Sequence, residues 1–156
     1  MKFKKEVLQT CCVSTKWLER VFVELQHCSD TEFLIKQEEI WWQLEPSDWL
    51  QAFEGHPRIG DVSSLAEKFK ETESIASSEQ SGVDRATDDI LVELKEYNDR
   101  YFERYGFIFI VCASGKSALG MLSLLKDRMN NSRDDEIKIA AGEQAKITKI
   151  RLERQL

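Results

Sequence analysis

The stretch EGHPRIGD, residues 54–61, holds one of the two histidines and one of the two prolines in this chain. Pro57 fixes its own φ and pushes His56 away from helical geometry. Gly55 and Gly60 are expected to adopt backbone angles that other residues resist. The stretch therefore reads as a stiff loop that aims an imidazole in one direction. An imidazole titrates near neutrality and can move a proton either way, a role worth about 100- to 10,000-fold in rate. A second group is Ser77-Ser78-Glu79-Gln80. A carboxylate beside an amide can accept two N–H groups while the amide reads a further donor or acceptor, which suits a urea-like or heterocyclic substrate. The third is Arg151 in ITKIRLERQL, which shares a helix face with Ile147, Gln144 and Ala140. An arginine on a partly apolar face can present a rigid fork to a carboxylate.

Each group also has a plainer reading. A lone loop histidine often bonds nearby backbone, and SSEQ has the composition of a solvated loop. Arg151 can pack its stem and send its head to water, as Arg133 and Arg154 are expected to do. No Gly-rich phosphate loop, serine nucleophile motif or metal cluster competes with the three.

The elements that must position these groups read as helices almost throughout. Apolar residues at helical spacing mark helices over 3–12 and 15–26, with Phe3, Val7, Leu8, Trp17, Leu18, Val21, Phe22 and Leu25 inside. Ser29-Asp30-Thr31-Glu32 has the capping-box form and opens a helix through Leu44 that Pro46 stops. Ser47 then caps a short helix, DWLQAFEG. Ser64 and Glu67 cap another through Lys70, and 71–84 is a loop or broken helix. A long helix from about Arg85 to Tyr105 carries Ile90, Leu94, Tyr97, Tyr101 and Tyr105 on one stripe, and Gly106 ends it. FIFIVCAS, 107–114, is the one strand-like run, and no second strong strand is there to pair with it. Its backbone groups must be satisfied by burial between helices or by a ligand. A helix from Lys116 to about Met129 turns Leu119, Leu122, Leu125 and Met129 inward. After NNSRDD a last helix runs from about Glu136. The predicted fold is all-α, a single-domain helical bundle over 1–156 with one buried extended segment near 107–113.

Composition narrows the partners. At 156 residues the chain can bury a sizeable core. The formal net charge is −6 and the pI about 5.1, which argues against nucleic acid or an anionic membrane as the main partner. No apolar run approaches the roughly 20 residues of a membrane span. The start, MKFKKEVLQTCCV, is too soon polar to read as a secretory signal. Cys11, Cys12, Cys28 and Cys112 form no C-x-x-C pair and read as packed thiols in a reducing compartment, with no structural metal.

The order HPRIG, then SSEQ, then YFERYGFIFIVCASG, then EIKIAAGEQAKITKIRL resembles the 2-oxo-4-hydroxy-4-carboxy-5-ureidoimidazoline (OHCU) decarboxylase family of urate and purine catabolism. The resemblance covers nearly the whole chain and is weakest over the first thirty residues. It implies an all-α fold, commonly a homodimer. It also implies cofactor-independent decarboxylation of a small-molecule substrate, the ureidoimidazoline, to (S)-allantoin, with no metal. The family's catalytic histidine and glutamate fall on His56 and Glu79. Its substrate-binding positions fall on Pro57, Gln80 and Arg151, and on the backbone of Phe107, Ile108, Phe109, Ile110 and Val111. Relatives carry a serine three residues before the glutamate. Here Ala76 stands there, with Ser77 and Ser78 following, so a neighbouring serine substitutes or one substrate hydrogen bond is absent. The chain is similar to the N-terminal domain of plant bifunctional proteins, which implies a fused or associated transthyretin-like hydrolase domain. The ending RQL is not the peroxisomal S-K-L form, so the expected compartment is the peroxisome, where the family's pathway often runs, or the cytoplasm.

Two other readings use the same residues. One is a non-catalytic helical interaction module with Trp41-Trp42 as an exposed anchor. The other is a cyclic-amide hydrolase with water as nucleophile. An interaction module has no reason to gather His56, Glu79 and Arg151 from three distant segments, and only decarboxylation releases carbon dioxide.

Overall fold

The computed structural model describes residues 2–57 and 88–156, and all seven elements in them are helices. They are α1 (Lys5–Cys11), α2 (Thr15–Glu24), α3 (Asp30–Trp42), α4 (Pro46–Glu54), α5 (Asp88–Tyr105), α6 (Ala118–Arg128) and α7 (Arg133–Glu153). The predicted all-α class holds. The expected helix through Lys70, the start near Arg85, and Gly60 lie outside the described residues. Contacts divide the chain into two compact units. One comprises residues 1–56, 110–112 and 137–156, the other 57–109 and 113–136.

In the first unit, indole N–H groups tie helices together. Trp17 Nε1 donates to the Gln37 carbonyl at 3.3 Å, and Trp49 Nε1 to the Trp41 carbonyl at 2.9 Å. Trp41 Nε1 donates to the Ala141 carbonyl of α7 at 3.0 Å. Trp41 is therefore core, whereas Trp42 is 44% exposed and packs edge-on against Trp49. Alanines at 140, 141 and 145 are buried on α7 and keep its surface low where large rings approach. The four cysteines are free thiols, three of them buried.

The capping box at Ser29 forms as its sequence predicts. Ser29 Oγ accepts the Glu32 N–H at 3.3 Å, and Glu32 Oε2 accepts the Ser29 N–H at 3.1 Å. At Pro46 the outcome differs. Proline sits at the first position of α4, where its missing N–H would have had no helical partner, and Ser47 lies inside the first turn. Asp48 Oδ2 reaches back to the Glu45 N–H at 3.1 Å and closes that end.

Gly55 also differs from expectation. Its φ of −72° and ψ of −10° are ordinary right-handed values. The need is for space, since a Cβ there would lie 2.5 and 2.9 Å from the two methyls of Val13. We expect Gly55→Ala to cost about 1–3 kcal/mol through overpacking. Thermal melts of Gly55→Ala, alone and with Val13→Ala, check this. Recovery in the double variant is the expected result, and an unchanged single variant excludes the clash.

In the second unit, α5 buries Leu91, Leu94, Tyr101 and Tyr105, close to the predicted stripe, with Ile90 and Tyr97 half-buried. Gly106 ends α5 at φ +79°, and its N–H bonds the Phe102 carbonyl at 2.8 Å. Ser117 caps α6 by accepting the Gly120 N–H at 3.0 Å. Ala118, Met121, Leu122 and Leu125 then turn inward, while Leu119, expected inside, is 47% exposed and Met129 half-buried. The last helix starts three residues before the expected Glu136. Ser132 accepts the Asp135 N–H at 3.2 Å, and the acidic first turn complements the helix N-terminus. Arg133 does more than reach water. Its Nε donates to the Tyr105 carbonyl at 2.9 Å, and its guanidinium lies over the Phe107 ring.

No helix of the described residues is long and apolar enough to cross a membrane.

Candidate active site

His56 follows α4 directly. Its N–H bonds the Phe53 carbonyl at 3.2 Å, the Gly55 N–H bonds the Ala52 carbonyl at 3.1 Å, and Pro57 cannot continue the helix. The ring is thus fixed at a helix end, half-buried, and not on a free loop. Its Nε2 lies 2.5 Å from Oε1 of Gln144, 88 positions away on α7.

Gln144 is almost fully buried, as is Thr148 one turn on. Gln144 Nε2 donates to Thr148 Oγ1 at 3.0 Å. Burial pushes the Cys12 thiol up to about 11, against the lesser opposing pull of Ser14, Thr148 and the Arg151 charge. Three side chains therefore form one line, His56–Gln144–Thr148, running from the half-buried ring into the core.

Arg151 lies seven residues beyond Gln144 on α7, two turns or about 10 Å along the axis. It is half-buried, and its Nη1 donates to the Cys11 carbonyl at 3.4 Å. Cys11 is the last residue of α1, so the guanidinium meets the negative end of that helix. The same positive charge opposes the rise in the Cys11 thiol that burial causes.

The 107–113 segment forms no strand ladder. Phe107, Ile110 and Cys112 are buried, as expected for an extended run between helices. One of its backbone donors finds a side chain: the Cys112 N–H bonds Glu143 Oε1 at 3.3 Å, and Glu143 is itself paired with Lys146 at 2.6 Å. In the second unit Phe109 packs edge-on to Tyr101 at 5.4 Å, with the Arg128 guanidinium 4.5 Å from its ring centroid.

The structure thus brings His56 and Gln144 into contact and sets Arg151 on the same helix as Gln144. Pro57 is exposed. Ala76, Ser77, Ser78, Glu79 and Gln80 lie outside the described residues. Gln144 was visible in the sequence as a member of the Arg151 face, but not as the partner of His56. Thr148 and Glu143 carried no such signal. Among the described residues no group of three His, Cys, Asp or Glu side chains could hold a metal ion.

The family model for OHCU decarboxylase matches residues 2–153. The chain belongs to the OHCU decarboxylase family. It is 33% identical to the uric acid degradation bifunctional protein TTL of Arabidopsis thaliana, over 97% of this chain and 47% of that protein. It is 27% identical to a 2-oxo-4-hydroxy-4-carboxy-5-ureidoimidazoline decarboxylase of Halalkalicoccus jeotgali, over 67% of this chain and 56% of that one. The chain thus spans about half the length of these two curated relatives. Among solved structures, an OHCU decarboxylase crystallised in the presence of (S)-allantoin superposes with a TM-score of 0.78, at 33% identity and 97% coverage of both chains.

Proposed function

We propose that this chain decarboxylates 2-oxo-4-hydroxy-4-carboxy-5-ureidoimidazoline to (S)-allantoin, with His56 as the proton-transfer group. The observation that carries the reading is the seating of His56: the histidine that falls on the family's catalytic position is fixed against a buried amide at a helix end.

The chemistry follows from the substrate. The departing carboxylate sits on a carbon that bears a hydroxyl and adjoins a C=N bond. When the C–CO₂ bond breaks, its electron pair forms a C=C bond, and the C=N π pair moves to nitrogen, which takes a proton. The product is an enol. Loss of the hydroxyl proton and delivery of a proton to the neighbouring carbon complete the change to allantoin. His56 takes the first of these protons and delivers the second, and delivery to one face sets the handedness. Glu79 accepts ureido and ring N–H groups, Gln80 reads a further edge, and Arg151 holds the carboxylate or the oxygen charge that succeeds it. The amides and carbonyls of Phe107 to Val111 meet the planar edges of the substrate. A homodimer and a transthyretin-like hydrolase partner belong to the same reading.

The test is to generate the ureidoimidazoline from urate with the upstream enzymes and follow optical activity with and without this protein. Faster appearance of (S)-allantoin together with released carbon dioxide is expected. Ring opening without carbon dioxide indicates the hydrolase, and an unchanged rate removes the enzymatic reading.

A further inference from the structure

Gln144 has no part in the proton transfers described above, yet it is almost fully buried and touches the one side chain that does. A buried primary amide must place a carbonyl acceptor and two N–H donors, and its two ends are not interchangeable. Here the carbonyl faces His56 Nε2 and the NH₂ faces Thr148 Oγ1. We propose that Gln144 is the positioning residue of His56: its carbonyl, oriented by Thr148, accepts the Nε2–H and holds the neutral imidazole with its lone pair on Nδ1. The proposal rests on the reading of His56 as the proton-transfer group.

The orientation of the amide is set from the core outward. The Thr148 hydroxyl receives the Gln144 N–H, which leaves the amide carbonyl to face the ring. Turning the amide over would set its NH₂ against the Nε2–H, donor against donor. The imidazolium also carries a proton on Nε2, so the contact with Gln144 serves both charge states. The ring can then gain and lose its working proton at Nδ1 while Gln144 keeps its orientation.

The choice of an amide over a carboxylate matters for the same reason. A glutamate at 144 would also accept the Nε2–H, but its charge would stabilise the imidazolium and hinder return of the proton. A neutral acceptor anchors the ring and leaves its proton transferable.

The tautomer is readable by ¹⁵N NMR, in which protonated and unprotonated imidazole nitrogens have well-separated shifts. The chain has two histidines, and the other, His27, is exposed and serves as an internal reference. In the wild-type protein, at a pH where His56 is neutral, the proton is expected on Nε2. Gln144→Met should shift His56 toward a mixture of tautomers and lower kcat at least about tenfold, with KM changing less than about twofold. Gln144→Glu should restore the Nε2–H signal. A wild-type proton on Nδ1 overturns the proposal without any variant, and so does a folded Gln144→Met with unchanged tautomer and kcat. A His56→Ala protein that still decarboxylates would instead overturn the functional reading and leave the tautomer measurement standing.

Discussion

His56→Ala is expected to lower the rate of (S)-allantoin formation about 100- to 10,000-fold, the span lost when a positioned acid–base group is removed. The folded state should survive. The ring is half-buried at the end of α4 and contributes little core area. Its loss does leave Gln144 Oε1 without the partner shown here, and an unsatisfied buried acceptor costs about 1–3 kcal/mol. The ring is half-buried and not in the deep core, so the low end of that range applies. For a chain of this size about 1 kcal/mol lowers the melting temperature by roughly 2–4 °C. The two effects therefore separate cleanly. Circular dichroism should report unchanged helicity and a small drop in melting, while polarimetry should report almost no catalysed allantoin. A folded His56→Ala protein with near-wild-type activity would remove the acid–base assignment.

Much of the fold was legible because helix signals are local. The Ser29 capping box and the stripe down α5 were both read from spacing alone, and both stand in the structure. The misses have local causes too. Pro46 is compatible with ending one helix or beginning another, and only the position of Asp48 opposite the Glu45 N–H shows which applies. The polar run NNSRDD hid a serine cap beneath a loop-like composition. The site was legible to a different degree. The glycine–proline frame marked His56, although Gly55 is there to make room for Val13 and not to supply an unusual angle. What the sequence could not show is pairing across distance. Gln144 meets His56 across 88 positions, and nothing in the spacing along α7 says which residue of another segment an amide on that face will meet. Glu143 is the same case: its carboxylate answers where one N–H of the extended segment goes.

The largest stability effect is expected at Glu136, a residue first read only as the start of a helix. Its carboxylate is fully buried and accepts from three neighbours. Arg128 Nη2 donates at 2.9 Å and Nε at 3.0 Å, Asn131 Nδ2 donates at 2.9 Å, and the Tyr101 hydroxyl donates as well. Arg128 is nearly as buried as its partner, so neither charge can fall back on water. Glu136→Gln keeps the shape but removes the negative charge and turns an NH₂ toward donors. Breaking one side of such a pair costs about 3–5 kcal/mol, which for this chain length is roughly 6–20 °C in melting temperature. Arg128→Met should cost a similar amount by stranding the carboxylate. The double variant should be far milder than either single one, because no buried charge remains and glutamine can still serve Tyr101 and Asn131. The cluster also bears on activity. Tyr101 and Arg128 form the seat of Phe109, in the segment whose backbone we propose meets the substrate. The single variants should therefore lose activity as they lose stability, and the double variant should regain the fold before it regains the rate, since Arg128 no longer covers the Phe109 ring. A Glu136→Gln protein melting within about 2 °C of wild type would mean the buried pair contributes almost nothing to stability.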